Sequence, residues 1–321
     1  MTQIKLDLKD RKILSALDVN SHQTNSRIAK TVGLSKDVVN YRIKRLENSG
    51  LIRGYYTLLD FSKLGYFSIR VYLRLVDVSL EQEKKIISFL FKNKKVFFVA
   101  EIEGEFNIDF GIGIKDIYEF ESFWTDFKTK FNKYIRKEDI AIFTKAYHFH
   151  RAYILEDKID KIPPEIFGGS KEEKHDEKDL AILKLIAQNA RMPIIEISEK
   201  LDIPPKTVNF RIKQLEKKKI IQGYRFIFDH DAFGYEYYKV DLNLKDISRV
   251  NLLIDYAQKN PNILYVDKTI GGSDFEFDIE VKNKVEFMNL IKDLRKKFPE
   301  IREWKYFTIS KYQKLLYFPN I

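Results

Sequence analysis

The stretch GLSKDVVNYRIKRLENSGLIRGY (33–55) decides the fold, because it is written again as DIPPKTVNFRIKQLEKKKIIQGY (202–224). Equivalent residues stand 169 apart: Ile28 and Ile197, Val39 and Val208, Ile43 and Ile212, Gly54 and Gly223. The correspondence continues through Asp60/Asp229 and Gly65-Tyr66/Gly234-Tyr235 into SIRVYLRL (68–75) and YYKVDLNL (237–244). GEFN (104–107) then meets GGSD (271–274) at an offset of 167, two residues having been lost. The chain is therefore two tandem copies of one unit. Between them, PPEIFGGSKEEKHDEKD (163–179) replaces hydrophobic periodicity with Pro, Gly, Ser and mixed charge, the composition of a linker.

Within each unit the first 60 or so residues are helical. Ile13, Leu14 and Leu17, then Ile28, Ala29 and Val32, then Val39, Ile43 and Leu46 recur at helical spacing. Gly33 stands at the tight turn before the third helix, and Ser35 is placed to cap it. This is helix-turn-helix punctuation, and LIRGYYTLL (51–59) after it predicts a strand or wing. The remainder reads strand 68–75, helix 80–92, strands 96–103 and 107–114, helix 117–131 and strand 135–149. The second unit repeats that order, which is the ferredoxin-like βαββαβ arrangement. The expectation is an α+β chain of five segments: helix-turn-helix 1–60, ferredoxin-like 61–155, linker 156–175, helix-turn-helix 176–229, ferredoxin-like 230–321.

The 321 residues carry 57 Lys+Arg against 47 Asp+Glu, a net charge of +10 that suits an anionic partner such as nucleic acid. Residues 1–60 alone hold 11 Lys+Arg against 6 Asp+Glu, and 171–230 hold 13 against 10, so the first head is the more basic. The absence of cysteine removes disulfides, zinc ribbons and thiol catalysis and is compatible with a reducing cytoplasm. No apolar run is long enough to span a bilayer, and MTQIKLDLKD is not expected to act as a signal peptide.

In the third helix Val39, Ile43 and Leu46 form the buried stripe, so Asn40, Tyr41, Lys44 and Arg45 face outward. In the second copy Lys206, Thr207, Asn209, Phe210, Lys213 and Gln214 do. Arg and Lys suit guanine acceptors or phosphates, Asn and Gln suit adenine, and an aromatic edge suits a thymine methyl. With Ser35 and Lys36 at the helix start, these residues form the candidate face for double-stranded DNA; a merely solvated helix face is the plainer alternative. Arg42 and Arg211 lie nearer the buried stripe, as a phosphate clamp or as ion-pair partners of Asp10 and Asp179. Arg53 and Arg225, on the wings, are candidate phosphate contacts.

These residues resemble the Lrp/AsnC family of transcription regulators over essentially the whole chain, twice. LDLKDRKIL (6–14) resembles the opening helix, 33–55 the recognition helix and wing, and LDFSKLGY (59–66) the passage into the C-terminal domain. The resemblance implies DNA binding, a ferredoxin-like domain that dimerises, and an amino acid or similar effector held at a G-x-x-D loop. That loop is Gly271-Gly272-Ser273-Asp274 in the second copy, while the first has Gly104 and, in place of Asp, Asn107. Glycine admits close backbone approach and a carboxylate can pair with an ammonium, but a plain hairpin turn uses the same residues. The tandem form implies an intrachain pseudo-dimer packed sheet against sheet, a homo-oligomer, or both, with head spacing set by the ferredoxin-like domains. No cofactor or metal is expected: His148 and His150 alternate on a strand, but two ligands are too few, and a surface pair is the reading taken. The alternative function is a siroheme-decarboxylase-like tetrapyrrole enzyme on the same tandem fold, although VFFVAEIEGEFNIDFGI (96–112) and ILYVDKTIGGSDFEFDI (263–279) carry neither His nor Trp.

Overall fold

The computed structural model describes residues 5–155 and 162–318. The first head comprises α1 (Leu8–Val19), α2 (Asn25–Val32) and α3 (Lys36–Asn48), followed by β1 (Ile52–Leu59). Its counterpart comprises α6 (Glu177–Gln188), α7 (Ile194–Leu201), α8 (Pro205–Lys217) and β7 (Ile221–Phe228). Ser35 caps α3 by accepting the Val38 N–H, and Gly33 closes α2 at φ 66°. In the second head Asp202 takes the same left-handed turn at φ 51°, and Pro205 opens α8 without a side-chain cap.

The strands after α3 and α8 are not free wings. β1 and β7 pair antiparallel with each other, from Ile52 opposite Phe228 to Leu59 opposite Ile221. The pairing is pseudo-twofold: Asp229 N–H donates to Leu51 O at 3.0 Å and Asp60 N–H to Ile220 O at 2.9 Å. A lone strand would leave its hydrogen-bonding edge open, and Ile52, Tyr55, Ile221 and Phe226 would stay wet. Pairing resolves both, and one apolar core runs through both heads from Ile13 and Leu14 to Leu183 and Val208. Head spacing is thus set first by this shared sheet, rather than by the ferredoxin-like domains alone.

The ferredoxin-like elements are β2 (Phe67–Leu75), α4 (Leu80–Lys92), β3 (Val96–Glu103), β4 (Ile108–Ile114), α5 (Ile117–Phe131) and β5 (Ile135–His148) in the first half. The second half has a short α9 (His230–Phe233), then β8 (Glu236–Leu244), α10 (Val250–Gln258), β9 (Ile263–Ile270), β10 (Phe275–Val281), α11 (Lys284–Lys297) and β11 (Ile301–Leu315). The two sheets do not simply stack as separate layers. β11 pairs with β8 through Ile301–Phe307 and with β3 through Thr308–Leu315; β5 pairs with β2 through Ile135–Ile142 and with β9 through Ile142–His148. The order β2-β4-β3-β11-β8-β10-β9-β5 therefore returns to β2, and eight strands close into a barrel. Part of the expected linker also joins the sheet: β6 (Glu165–Phe167) pairs with β5, and Glu173 N–H donates to Lys63 O at 2.8 Å. Residues 156–161 of that linker lie outside the described residues.

Alternation along the strands sends apolar side chains outward against the helices, as Ile69, Val71 and Leu73 do against Phe123 and Phe127 of α5. The other face turns into the barrel and is charged. Arg70 holds Asp109 through Nε at 2.9 and 3.0 Å, and Lys239 Nζ lies 3.0, 3.1 and 3.2 Å from Asp267, Glu276 and Asp278. Burial, with the negative charge of Glu276, pushes Asp241 up to about 7 despite Lys239 and Lys305. Burial likewise pushes Asp267 up to about 6. A carboxyl raised from 3.8 to about 7 binds in the folded state a proton that the unfolded chain has released, so its contribution weakens as pH rises across that window. Asp241→Asn is predicted to be more stable than the parent chain at pH 8 by a wider margin than at pH 5, as urea denaturation at the two pH values would measure.

Candidate nucleic-acid interface

Packing Val39, Ile43 and Leu46 fully inward leaves Ser35, Lys36, Asn40, Tyr41, Lys44 and Arg45 exposed along α3. On α8 the stripe Val208, Ile212 and Leu215 leaves Lys206, Phe210 and Lys213 exposed and Thr207, Asn209 and Gln214 half-buried. Tyr41 and Phe210, equivalent residues, are 68% and 60% exposed, large rings without a core to enter. Each helix thus presents a polar and aromatic ridge bearing cations, the chemistry a major groove accepts.

The arginines nearest the stripe are structural anchors. Arg42 Nη1 lies 2.8 Å from both Asp7 and Asp10, and Arg211 Nη1 lies 2.8 Å from both Asp176 and Asp179, the equivalent acids. In both heads the recognition helix is therefore pinned to the opening helix. Arg45 also reaches Asp10 through Nη2, a contact for which head two has only Gln214. Arg53 pairs with Asp229, the cap of α9, and keeps more than half its side chain exposed. Arg225 departs from the phosphate-contact expectation: it is fully buried, because β7 faces the first half rather than solvent, and it holds the Asp18 carbonyl, His150 and Glu165.

The heads also touch directly. His22 stacks on Tyr224 at 4.5 Å, and its equivalent, Arg191, lies 5.0 Å over Tyr55, the equivalent of Tyr224. Arg191 Nη2 donates to Asn25 Oδ1 at 2.5 Å, and Asn25 donates to Asn40 at 3.0 Å, so a residue of one readout face is tied to the other head.

At the loop expected to hold an effector, Asp274 Oδ2 accepts the Leu244 N–H at 2.7 Å, and Asn107 Oδ1 accepts the equivalent Leu75 N–H at 2.9 Å. An amide serves that bond as well as a carboxylate, which explains Asn107 without any ligand. The glycines have a packing reason too: a Cβ on Gly271 would stand 2.4 Å from Ile140 O of the other half, and one on Gly104 3.1 Å from Tyr306 O. Beside the second loop a cavity of about 380 Å³ is lined by Gly271, Gly272, Asp274, Lys268, Ser248 and Asn251 among others.

His148 and His150 are not a surface pair. His148 is buried and stacked on Tyr265, because β5 continues into the second sheet, and burial together with Arg225 and Arg151 keeps it well below the usual imidazole range. Around them Arg151 bridges Asp18 at 3.2 Å and Glu280 at 3.0 Å, and Tyr153 donates to Glu280. Burial raises Asp18, but the His150 hydrogen bond and the Arg225 and Arg151 charges outweigh it and hold the carboxyl far below its ordinary value. Nothing in the local pattern announces this junction, whose members come from five separated segments. Among the described residues no group of His, Cys, Asp and Glu is placed to hold a metal.

The chain is similar to known proteins in sequence and in fold. The winged helix-turn-helix DNA-binding family matches residues 6–53 and again 175–222. An uncharacterized HTH-type transcriptional regulator of Pyrococcus horikoshii is 30% identical over 146 residues, 43% of this chain and 90% of its own. Another, from Pyrococcus furiosus, is 31% identical over 106 residues, 33% of this chain and 70% of its own. The solved AsnC family transcriptional regulator from Agrobacterium tumefaciens is 28% identical, covering 43% of this chain and 89% of its own, with a TM-score of 0.38. The siroheme decarboxylase NirDL, solved with an iron-uroporphyrin III analogue, is similar over 97% of this chain and 95% of its own, with a TM-score of 0.65 and 12% identity, a likeness of fold alone.

The two arginine anchors differ in one respect that can be measured. Asp179 would be left without a guanidinium in Arg211→Ala, whereas Asp10 keeps Arg45 in Arg42→Ala. Arg211→Ala is expected to lose about 2–3 kcal/mol of stability and Arg42→Ala about half of that, by equilibrium denaturation.

Proposed function

Since the chain belongs to the Lrp/AsnC family of HTH-type transcription regulators, carried twice in tandem, we propose that it binds double-stranded DNA sequence-specifically through α3 and α8 and acts as a transcription regulator. The observation that carries this reading is the pair of exposed ridges held in one arrangement by the β1–β7 sheet and the common core of the heads. A symmetric regulator would offer the same residues twice. Here Lys44 repeats as Lys213 and Asn40 as Asn209, but Arg45 faces Gln214 and Lys36 faces Pro205 across the repeat. The operator is accordingly an imperfect inverted repeat, its half-sites read by non-equivalent helices. The higher charge of head one makes it the tighter binder.

An effector belongs, on this reading, to the cavity beside the second loop, where Lys268 supplies a cation for a carboxylate and the Asp274 side chain, with one oxygen on Leu244, a partner for an ammonium. An amino acid has both groups. The first copy, where Gly104 and Asn107 lack that carboxylate, is the weaker candidate for such a site. With DNA as its partner the regulator belongs in the cytoplasm, and DNA binding through α3 and α8 calls for no cofactor. Among the described residues no helix is long and apolar enough to cross a membrane. The siroheme-decarboxylase reading keeps only the shared tandem fold in its favour, and incubation with siroheme followed by mass spectrometry for lost carbon dioxide tests it.

DNA recovered from the genome by the full chain, with and without added amino acids, supplies the ligand for measurement. Affinity for it is expected to fall steeply between about 50 and 200 mM salt, and Arg45→Ala to weaken it by roughly 1–3 kcal/mol. Salt-insensitive binding, or no enrichment of any sequence, would contradict the reading. In calorimetry, an amino acid that alters the recovered DNA should bind the parent chain once, and Lys268→Ala several-fold more weakly.

A further inference from the structure

The repeat aligns residues that ought to be alike, and inside the barrel they are not. Arg70 and Lys239 correspond, but Tyr72, Ala100 and Gly111 of the first half stand where the second has Asp241, Asp267 and Asp278. Asp139 lies opposite Tyr72 in β5, and Lys305 lies opposite Asp241 in β11, so Asp139 and Lys305 are equivalents as well. These two equivalents meet where the halves join, at a half-open site, Lys305 Nζ being 3.7 Å from Asp139 and 3.5 Å from Glu105, both of the other half. The same holds at the junction with the heads. Arg225 and Glu280 of the second half correspond to Tyr56 and Gly113 of the first, and they are held by Asp18, Glu165 and Arg151 of the first half.

We propose that these charges, buried in the barrel and at the junction and half-open at Lys305 and Asp139, form a pairing code by which the first half accepts the second and rejects its own kind. Paired with itself, the first half sets Asp139 against Asp139, offers Arg151 a Gly113 in place of Glu280, and leaves Glu165 without Arg225. Paired with itself, the second half doubles Asp241, Asp267, Glu276 and Asp278 around two Lys239, sets Lys305 against Lys305, and buries Arg225 with no carboxylate. A buried charge that has lost its partner is far costlier than the net worth of the pair, so both like-with-like barrels are disfavoured through several independent contacts. The chain therefore completes its own barrel, and any exchange between two chains keeps a first half against a second.

The test uses the full chain. Asp139→Lys and Lys305→Asp, at a site open enough to fold, are each expected to lower the folding equilibrium constant about five-fold, and the double variant to recover most of that loss. Neutral single variants, or a double variant no better than the two losses combined, would overturn the code. The cysteine-free chain permits a second measurement. Thr308 is in register with Glu103, and Ile142 with Ile270, between the halves. A short thiol cross-linker should join Glu103→Cys to Thr308→Cys within one chain, whereas a chain carrying Glu103→Cys and Ile142→Cys, which meet only when two first halves pair, should stay monomeric at high protein concentration. Covalent dimers of the latter would contradict the proposal.

Discussion

Everything in this molecule depends on two long strands that each belong to two sheets. β5 and β11, 14 and 15 residues long, spend their first halves completing their own ferredoxin-like sheet and their second halves closing the edge of the other. An open sheet edge leaves backbone donors and acceptors unpaired and invites association with any other edge. Closure removes both edges at once, turns two domains into one barrel, and fixes the axis about which the heads are related. β1 and β7 repeat the device on a smaller scale above it.

Closure also decides which polar residues are costly. Glu276, Asp278 and Glu280 alternate with Phe275, Phe277 and Ile279, so that one face of β10 packs on helices and the other would be unremarkable in water. In the barrel that second face is buried, and its charges are tolerable only where Lys239, Arg151 or a hydrogen-bond donor answers them. Such pairs add little net stability compared with an apolar interior, but losing one partner is expensive. The geometry of the assembly is specified by charges as much as by hydrophobic packing.

The split between what the sequence made legible and what it did not follows from this. Val39, Ile43 and Leu46, Gly33 and Ser35 are local signals, and helix periodicity with turn chemistry located the heads; Asp202 in the left-handed turn obeyed the same logic. Strand alternation located the ferredoxin-like elements. Alternation cannot say whether a polar face meets solvent or another sheet, so the pattern alone makes Arg225 a wing residue and His148 a surface one, whereas both are buried by strands from the other half. The role of Asp274 was equally invisible, because its partner, the Leu244 N–H, lies 30 residues away.

The proposed function requires the two unlike heads, held in one relation by the β1–β7 sheet, to engage DNA together from a single chain. Hydroxyl-radical footprinting of the full chain on DNA it selects, combined with stoichiometry, reads this out. Two protected patches are expected on one face of the duplex, a whole number of helical turns apart, over half-sites of different sequence, with one chain per site. A single patch, or identical half-sites occupied by two chains, would contradict it.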